Sequence, residues 1–433
     1  MKNDQPTAGA NDHAAISEKR IVLLMGGLFF VIGFVTWLNS PLITFVKLAF
    51  KLDDVSAFMV PMAFYMSYFF FSLPSAAILN VIGMKKGMAL GLLVMAAGSA
   101  VFGQLATMRI FPGTLIGLFI IGAGLTILQA ASNPYISLMG SFDRAAQRIA
   151  VLGICNKLAG ALAPVVFGLF VMSGISQLDA SVTAAADSDA REAIIIHFAQ
   201  GIYAPYMAMA AVLAVLSVMI LMTALPELST RSEAADSQTQ QTPSLFKATN
   251  LWLGFWAIFF YVGVEVIAGD AIGTYARGFD LPLDETKFLG SATLIAMLIG
   301  YGTGYLIVPR FIAQEQYLAQ SAALGIVLTT MAYLSTGYLS VLFVASLGFA
   351  NAMMWPAIFP TGISGLGRHT PVGAAILIMG VSGGAVIPQT FANLKNTHDF
   401  QAVFLILTLI CYAYILIFGL FAIQRATARE KGY

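Results

Sequence analysis

Runs of twenty or more mostly apolar residues return twelve times along this chain, and no other feature constrains its folding as strongly. Hydrocarbon offers no hydrogen-bond partner, so every backbone N–H and C=O of such a run must be paired within its own segment, which makes the run a helix. At 1.5 Å per residue, about 20 residues cross the apolar core of a bilayer. The runs fall at approximately residues 21–48, 57–83, 87–107, 111–139, 148–173, 203–226, 249–278, 287–308, 315–336, 338–363, 370–393 and 400–425. Only 10% of the residues are charged, against roughly 25% in soluble domains, and the mean hydropathy is +0.84. The expected class is an all-α polytopic membrane protein whose first partner is the lipid bilayer.

The same numbers exclude other classes. A net charge of +1 provides no basic field for nucleic acid. Cys155 and Cys411 both lie inside apolar runs, so neither a disulfide framework nor a cysteine metal cluster is available. The four histidines, His13, His197, His369 and His398, lie outside the runs, and no nucleophile stands beside a base at catalytic spacing. A polytopic membrane enzyme is therefore the weaker reading. The polar residues 1–20 lead into a run too long for a signal-peptide core, which predicts a retained first helix.

Fourteen Lys and Arg residues fall on the side that holds both termini and seven on the other, with Lys157 left inside the fifth run. Positive charge stays inside, so both termini are expected in the cytoplasm. The polar stretch "PELSTRSEAADSQTQQTPSLFKA" divides the runs six and six, which predicts a bundle over 1–226, a linker at 227–248 and a second bundle over 249–433. The halves echo one another: "AGALAP" in span 5 answers "GGAVIP" in span 11, and "NPYISLMG" in span 4 answers "FPTGISGLG" in span 10. Two six-helix repeats in parallel orientation, as in alternating-access carriers, account for this.

Polar side chains inside such runs mark candidate sites, because a charge at mid-bilayer costs roughly 2.5 to 3.5 kcal/mol even on the lenient insertion scale. Glu265 and Asp270 lie in span 7, Lys157 and Asn156 in span 5. Trp37 and Asn39 lie in span 1, Gln129 and Asn133 in span 4, Trp355 in span 10, and Gln389 in span 11. Gln129 and Asn133, four apart, share a helix face. On an unbroken helix Asp270 would stand about 140° round from Glu265, but Gly269 and Gly273 would permit a break. Amides and indoles suit a sugar, which needs paired hydrogen bonds and a flat apolar face. Quieter roles stay open: packing or interfacial anchoring for the tryptophans, interhelical bonding for the asparagines, and for Lys157 either snorkelling or an ion pair with Glu265.

In the stretches "LNSPLITF", "GAGLTILQAASNPY", "FYVGVEVIAGDAIGTY" and "MMWPAIFPTGISGLG" the chain resembles the fucose/galactose/glucose permease branch of the major facilitator superfamily along its whole length. "GMKKG" at 83–87 resembles a shortened form of the superfamily's loop motif, without its acidic residue. The resemblance implies two six-helix bundles around a central cavity, and monosaccharide uptake with a cation in a bacterial inner membrane, by a chain that works as a monomer. Where fucose permeases carry an aspartate in span 1 and a glutamate in span 4, this sequence has Ser40 and Gln129, so their proton-handling acids are missing. Asn156 matches an asparagine of their span 5, and Glu265 within "YVGVEV" resembles the glucose/galactose members, among which sodium coupling is known.

The expectation is a secondary active hexose carrier of the glucose or galactose type, with N-acetylglucosamine next and a multidrug exporter of the same superfamily as the alternative. Trp37, Asn39, Gln129, Asn133, Asn156, Trp355 and Gln389 would bind sugar, and Glu265 and Asp270 would couple a cation. No cofactor is expected beyond co-transported Na+ or H+. The lost proton carriers favour sodium, near Glu265.

Overall fold

The computed structural model describes residues 8–138, 145–172, 187–223, 245–308 and 310–431, with the single positions 175, 178, 181 and 185. Within them twelve helical spans are long and apolar enough to cross a membrane, and no strand occurs. Span 1 is Leu23–Ala49, span 2 Asp54–Ile82, span 3 Met84–Thr107, span 4 Phe111–Asn133, span 5 Val151–Phe170 and span 6 Ser188–Met222. Span 7 is Thr249–Gly269, span 8 Asp284–Ile307, span 9 Gln314–Leu334, span 10 Gly337–Ile363, span 11 Thr370–Leu394 and span 12 Phe400–Ala428. Most of the linker expected at 227–248, and three of the fourteen cations counted on the terminal side, Lys2, Arg144 and Arg231, lie outside the described residues. A single 3-10 turn, Leu245–Lys247, leads into span 7.

Spans 1 to 6 form one bundle, in which span 1 lies on span 5 and span 4 between spans 2 and 3; spans 7 to 12 form the other. Span 2 packs on span 11 and span 5 on span 8 across the divide, so advancing the numbering by six turns one cross-contact into the other. Small residues permit these approaches, as expected where helices associate by close packing rather than by water exclusion. A Cβ on Gly384 of span 11 would come within 3.0 Å of the Tyr65 ring, and one on Gly153 of span 5 within 2.8 Å of Tyr301.

Span 6 departs from expectation at its start. Residues 174–202 read as a connection, yet Ser188–Gln200 is a helix. The Asp187 carboxylate caps it by accepting the Ala190 N–H at 2.7 Å. Glu192 then pairs with Lys51 at 2.6 Å and with Arg109, tying this helix to the ends of spans 1 and 3. Spans 9 and 10 join through only Ser335 and Thr336, and Gly337, at φ +58°, makes the turn.

Three spans are broken near their middles, and a fourth, span 7, breaks at its far end and resumes as a short helix. Span 1 divides at Leu38 between Ala8–Trp37 and Asn39–Ala49. Pro41 falls in the first turn of the second piece, where its missing N–H forfeits no helix bond. Span 7 stops at Gly269 and resumes as Ile272–Arg277. Span 10 turns at Ala352 and Met353, and span 11 passes through a 3-10 turn at Gly380–Ser382. Broken helices at depth are tolerated where protein satisfies the freed groups. Here Ser40 Oγ donates to Gly269 O at 3.3 Å and Thr293 Oγ1 to Ala268 O at 2.9 Å.

On the face opposite the termini, called here the far face, the two bundles are fastened by charge. Asp54 at the head of span 2 pairs with Lys47 at 2.5 Å, with Arg277 at 3.6 Å and with Lys395. Lys47 belongs to the same bundle as Asp54, whereas Arg277 and Lys395 come from the other. Gln389 Nε2 donates to Val55 O at 3.1 Å, and Arg277 reaches Thr44 Oγ1 at 3.4 Å, both across the divide. Ser291 Oγ adds a bond to Ala161 O at 2.8 Å deeper in the contact.

Asp54→Asn should loosen this closure by about 1 to 2 kcal/mol, since three cations would lose their shared partner. Spin labels at Asp53 and Thr397, one on each bundle, should then show a roughly tenfold gain of the longer distance at the far face in electron–electron resonance. An unchanged distance distribution would remove Asp54 from the closure.

Candidate substrate cavity

A cavity with about 860 Å³ of empty space, part of it continuous with solvent, lies between the bundles on the terminal side of this closure. Span 1 contributes Phe29, Ile32, Thr36 and Trp37; span 2 Tyr65 and Tyr68; span 4 Gln129 and Asn133; span 5 Gly153, Asn156 and Lys157. From the second bundle come Tyr261, Val262 and Glu265 of span 7, Tyr301 of span 8, Trp355 and Pro356 of span 10, and Val381 of span 11.

At its base two charges from different bundles meet. Lys157 Nζ donates to Glu265 Oε1 at 2.8 Å, and the Tyr261 hydroxyl donates to the same oxygen at 2.8 Å. Lys157 is 7% exposed and Glu265 8%. Taking two ions out of water costs several kcal/mol each, so either one alone would be strongly destabilising where together they are tolerated. The ammonium also stands 4.6 Å from the centre of the Trp37 ring, a cation–π contact that offsets part of its lost hydration.

Trp37 is held by two glycines. A Cβ on Gly160 of span 5 would come within 2.4 Å of Trp37 Cδ1, and one on Gly269 of span 7 within 2.5 Å of Cζ3. The indole therefore fits edge-on between the bundles, almost wholly buried, with Lys157 over its ring. Trp355 differs: half-buried, it stacks on Phe359 at 5.5 Å with the planes 18° apart and meets Tyr261 at 6.5 Å.

The amides line one wall. Gln129 Nε2 of span 4 donates to the Tyr68 hydroxyl of span 2 at 3.1 Å, which ties its carboxamide to the neighbouring span at the cavity wall. Asn156 Nδ2 reaches Phe29 O at 3.3 Å, where a Cβ on Gly33 would come within 2.0 Å of the Asn156 carbonyl oxygen, so spans 1 and 5 nearly touch. Asn133, one turn from Gln129, completes the face.

Of the residues singled out from the sequence, Trp37, Gln129, Asn133, Asn156, Lys157, Glu265 and Trp355 all reach this cavity. Asn39 and Gln389 do not line it: the Asn39 amide donates to Thr36 O at 3.1 Å beside the break in span 1, and Gln389 lies in the far-face closure. Asp270 is 2% exposed behind the cavity, at the break in span 7. The four tyrosines of the wall went unnoticed in the sequence. Tyr65 and Tyr68 carried a signal, since residues three apart share a helix face; Tyr261 and Tyr301 carried none beyond a hydroxyl in an apolar run.

Comparison with known proteins agrees with this architecture. The family model described as Major Facilitator Superfamily matches residues 25–388. The chain belongs to this superfamily. A glucose/galactose transporter of Brucella abortus biovar 1 (strain 9-941) is 32% identical over 402 residues, covering 91% of this chain and 92% of that protein. The L-fucose-proton symporter of Escherichia coli (strain K12) is 26% identical, with 93% of each chain covered. A crystal structure of the superfamily transporter FucP in its outward conformation matches with a TM-score of 0.73 at 24% identity, over 93% of this chain and 98% of that one, and so shares the fold. Membership places the chain among membrane transporters rather than enzymes.

Lys157→Met should lower stability by about 3 to 5 kcal/mol, because Glu265 is left as a buried charge without its cation. The double variant Lys157→Met/Glu265→Gln should recover most of that loss in thermal unfolding of the detergent-solubilised protein. Equal losses in both would mean that the pair is not what the single substitution disturbs.

Proposed function

We propose that the protein takes up a monosaccharide, a hexose of the glucose or galactose type, together with a cation, by alternating access. The observation that carries this reading is the cavity itself: carboxamides of Gln129, Asn133 and Asn156 on one wall, the half-buried Trp355 face opposite, and a Lys157–Glu265 pair at the base. Amides donate and accept at once, as sugar hydroxyls require, and the Trp355 ring suits the C–H face of a pyranose. Trp37, buried between two glycines with Lys157 over its ring, acts instead by positioning the lysine. Glu265 and Asp270 are the acids available for coupling. The names of the glucose/galactose and fucose relatives support the same substrate class.

With both termini in the cytoplasm, the far face is periplasmic and the conformation is closed to the outside. The cavity then belongs to the stage at which sugar leaves inward. The bacterial sources of the relatives support a place in the cytoplasmic membrane. One chain builds the whole cavity, so a monomer suffices. A potential of ~100 mV contributes about 2.3 kcal/mol per cation, enough for roughly fiftyfold accumulation of a neutral sugar.

The test is radiolabelled uptake into proteoliposomes, with glucose, galactose and N-acetylglucosamine offered separately under imposed proton or sodium gradients. Concentrative uptake of a hexose is expected. Gln129→Ala should weaken sugar binding by roughly tenfold, the scale of one or two lost hydrogen bonds in a buried site. No uptake of any sugar, or an unchanged dissociation constant for that variant by calorimetry, would count against the reading.

A further inference from the structure

Among the described residues, three buried side chains can carry charge: Lys157, Glu265 and Asp270. With all three ionised the interior would hold one uncompensated negative charge, in a region where an isolated carboxylate is not tolerated. The balancing charge belongs on one of the two acids, and their surroundings differ. Glu265 accepts from Lys157 and from Tyr261. Neither carboxylate oxygen of Asp270 has a partner that close, and the Tyr65 hydroxyl stands beside it. Asp270 also ends the helix Thr249–Gly269, where the carbonyl end of the helix dipole opposes an anion.

We propose that Asp270 carries the co-transported cation of this symporter, as a proton on its carboxyl group, while Glu265 stays ionised and bound to Lys157. The assignment rests on the sugar-symport reading above and goes beyond it in naming the ion and its seat. A sodium ion would need several oxygen ligands at the break in span 7. Three carbonyls there already accept bonds, Ala268 O from Thr293, Gly269 O from Ser40, and Val266 O from the amides of Asp270 and Ala271, which weakens each as a cation ligand. A proton needs no such cage.

The titratable or charged groups facing Asp270 are Glu265 on its own helix, Lys157 on span 5 and Tyr65 on span 2. Spans 1 and 8 present Ser40 and Thr293, which do not titrate in this range. Tyr65 adjoins Asp270 and also lines the cavity, so its hydroxyl marks the route by which the proton reaches cavity water. On release the carboxyl O–H bond breaks, the electron pair stays on the carboxylate and the proton passes to water. The interior then regains its excess negative charge, which Lys157, paired with Glu265, offsets only in part. Reprotonation restores a neutral interior that can close on either side.

The experiment uses the full chain in proteoliposomes with galactose, a proton-sensitive dye inside and pH or sodium gradients imposed separately. The wild type should accumulate galactose on a pH gradient and move protons with it, and a sodium gradient should do neither. In Asp270→Asn, pH-driven accumulation should fall from about tenfold per unit of imposed pH difference to equality, with the galactose-evoked proton signal lost while exchange of labelled for unlabelled galactose persists. Infrared difference spectra evoked by galactose should show a protonated-carboxyl band that is absent in Asp270→Asn, shifted in Asp270→Glu and retained in the double variant Lys157→Met/Glu265→Gln, which removes the ion pair and leaves Asp270 protonated. Accumulation retained by Asp270→Asn, a band that vanishes in Lys157→Met/Glu265→Gln instead, or accumulation driven by sodium alone would overturn the assignment while leaving sugar transport intact. Absence of galactose exchange in the wild type would overturn the symport reading and the assignment with it.

Discussion

Lys157 and Glu265 come from different halves of the chain and meet where neither can be hydrated by lipid. Each is tolerated only because the other is there. The rest of the centre is arranged about that dependence: Tyr261 steadies the carboxylate, Trp37 lies beneath the ammonium, and glycines on both bundles make room for the indole. A contact that joins the halves at mid-depth, while amides and tyrosines remain on the walls, leaves a polar chamber in a protein otherwise built to exclude polarity.

Two further constraints place this chamber. Span-to-span approach depends on glycines at which a side chain would collide with backbone or ring, so the bundles can pack without large side chains filling the middle. Spans 1, 7, 10 and 11 each carry a backbone break, and hydroxyls from neighbouring spans satisfy carbonyls at the break in span 7. Closure of the far face by Asp54 and its cations leaves the chamber related to the terminal side. Carrier architecture thus follows from matching each polar group at depth to a partner or a cavity.

Much of this could be read from residues alone. Twelve apolar runs gave the number of spans, because the length needed to cross hydrocarbon is fixed. Glu265, Lys157, Gln129, Asn133 and Asn156 were conspicuous as polar groups where lipid penalises them. What the sequence could not supply was direction. Asn39 and Gln389 looked equivalent to Gln129, yet one bonds across the break in its own span and the other closes the far face, since a helix face is chosen by packing and not by residue type. Ser188–Gln200 was missed because its support is an aspartate cap and long-range pairs of Glu192 with Lys51 and Arg109, none of which shows as apolar periodicity. The pairing of Lys157 with Glu265, rather than with Asp270 or with water, needs three dimensions to decide.

The grip of Gly160 and Gly269 on Trp37 has a consequence for motion. One glycine belongs to each half, so when the halves rock apart the indole must slide out of one notch while staying seated in the other. Its ring would pass from a dry slot into a wetter one at that moment. With Trp252, Trp256 and Trp355 replaced, Trp37 would be an optical probe of the transport cycle whose emission colour follows the state of the carrier without any added label.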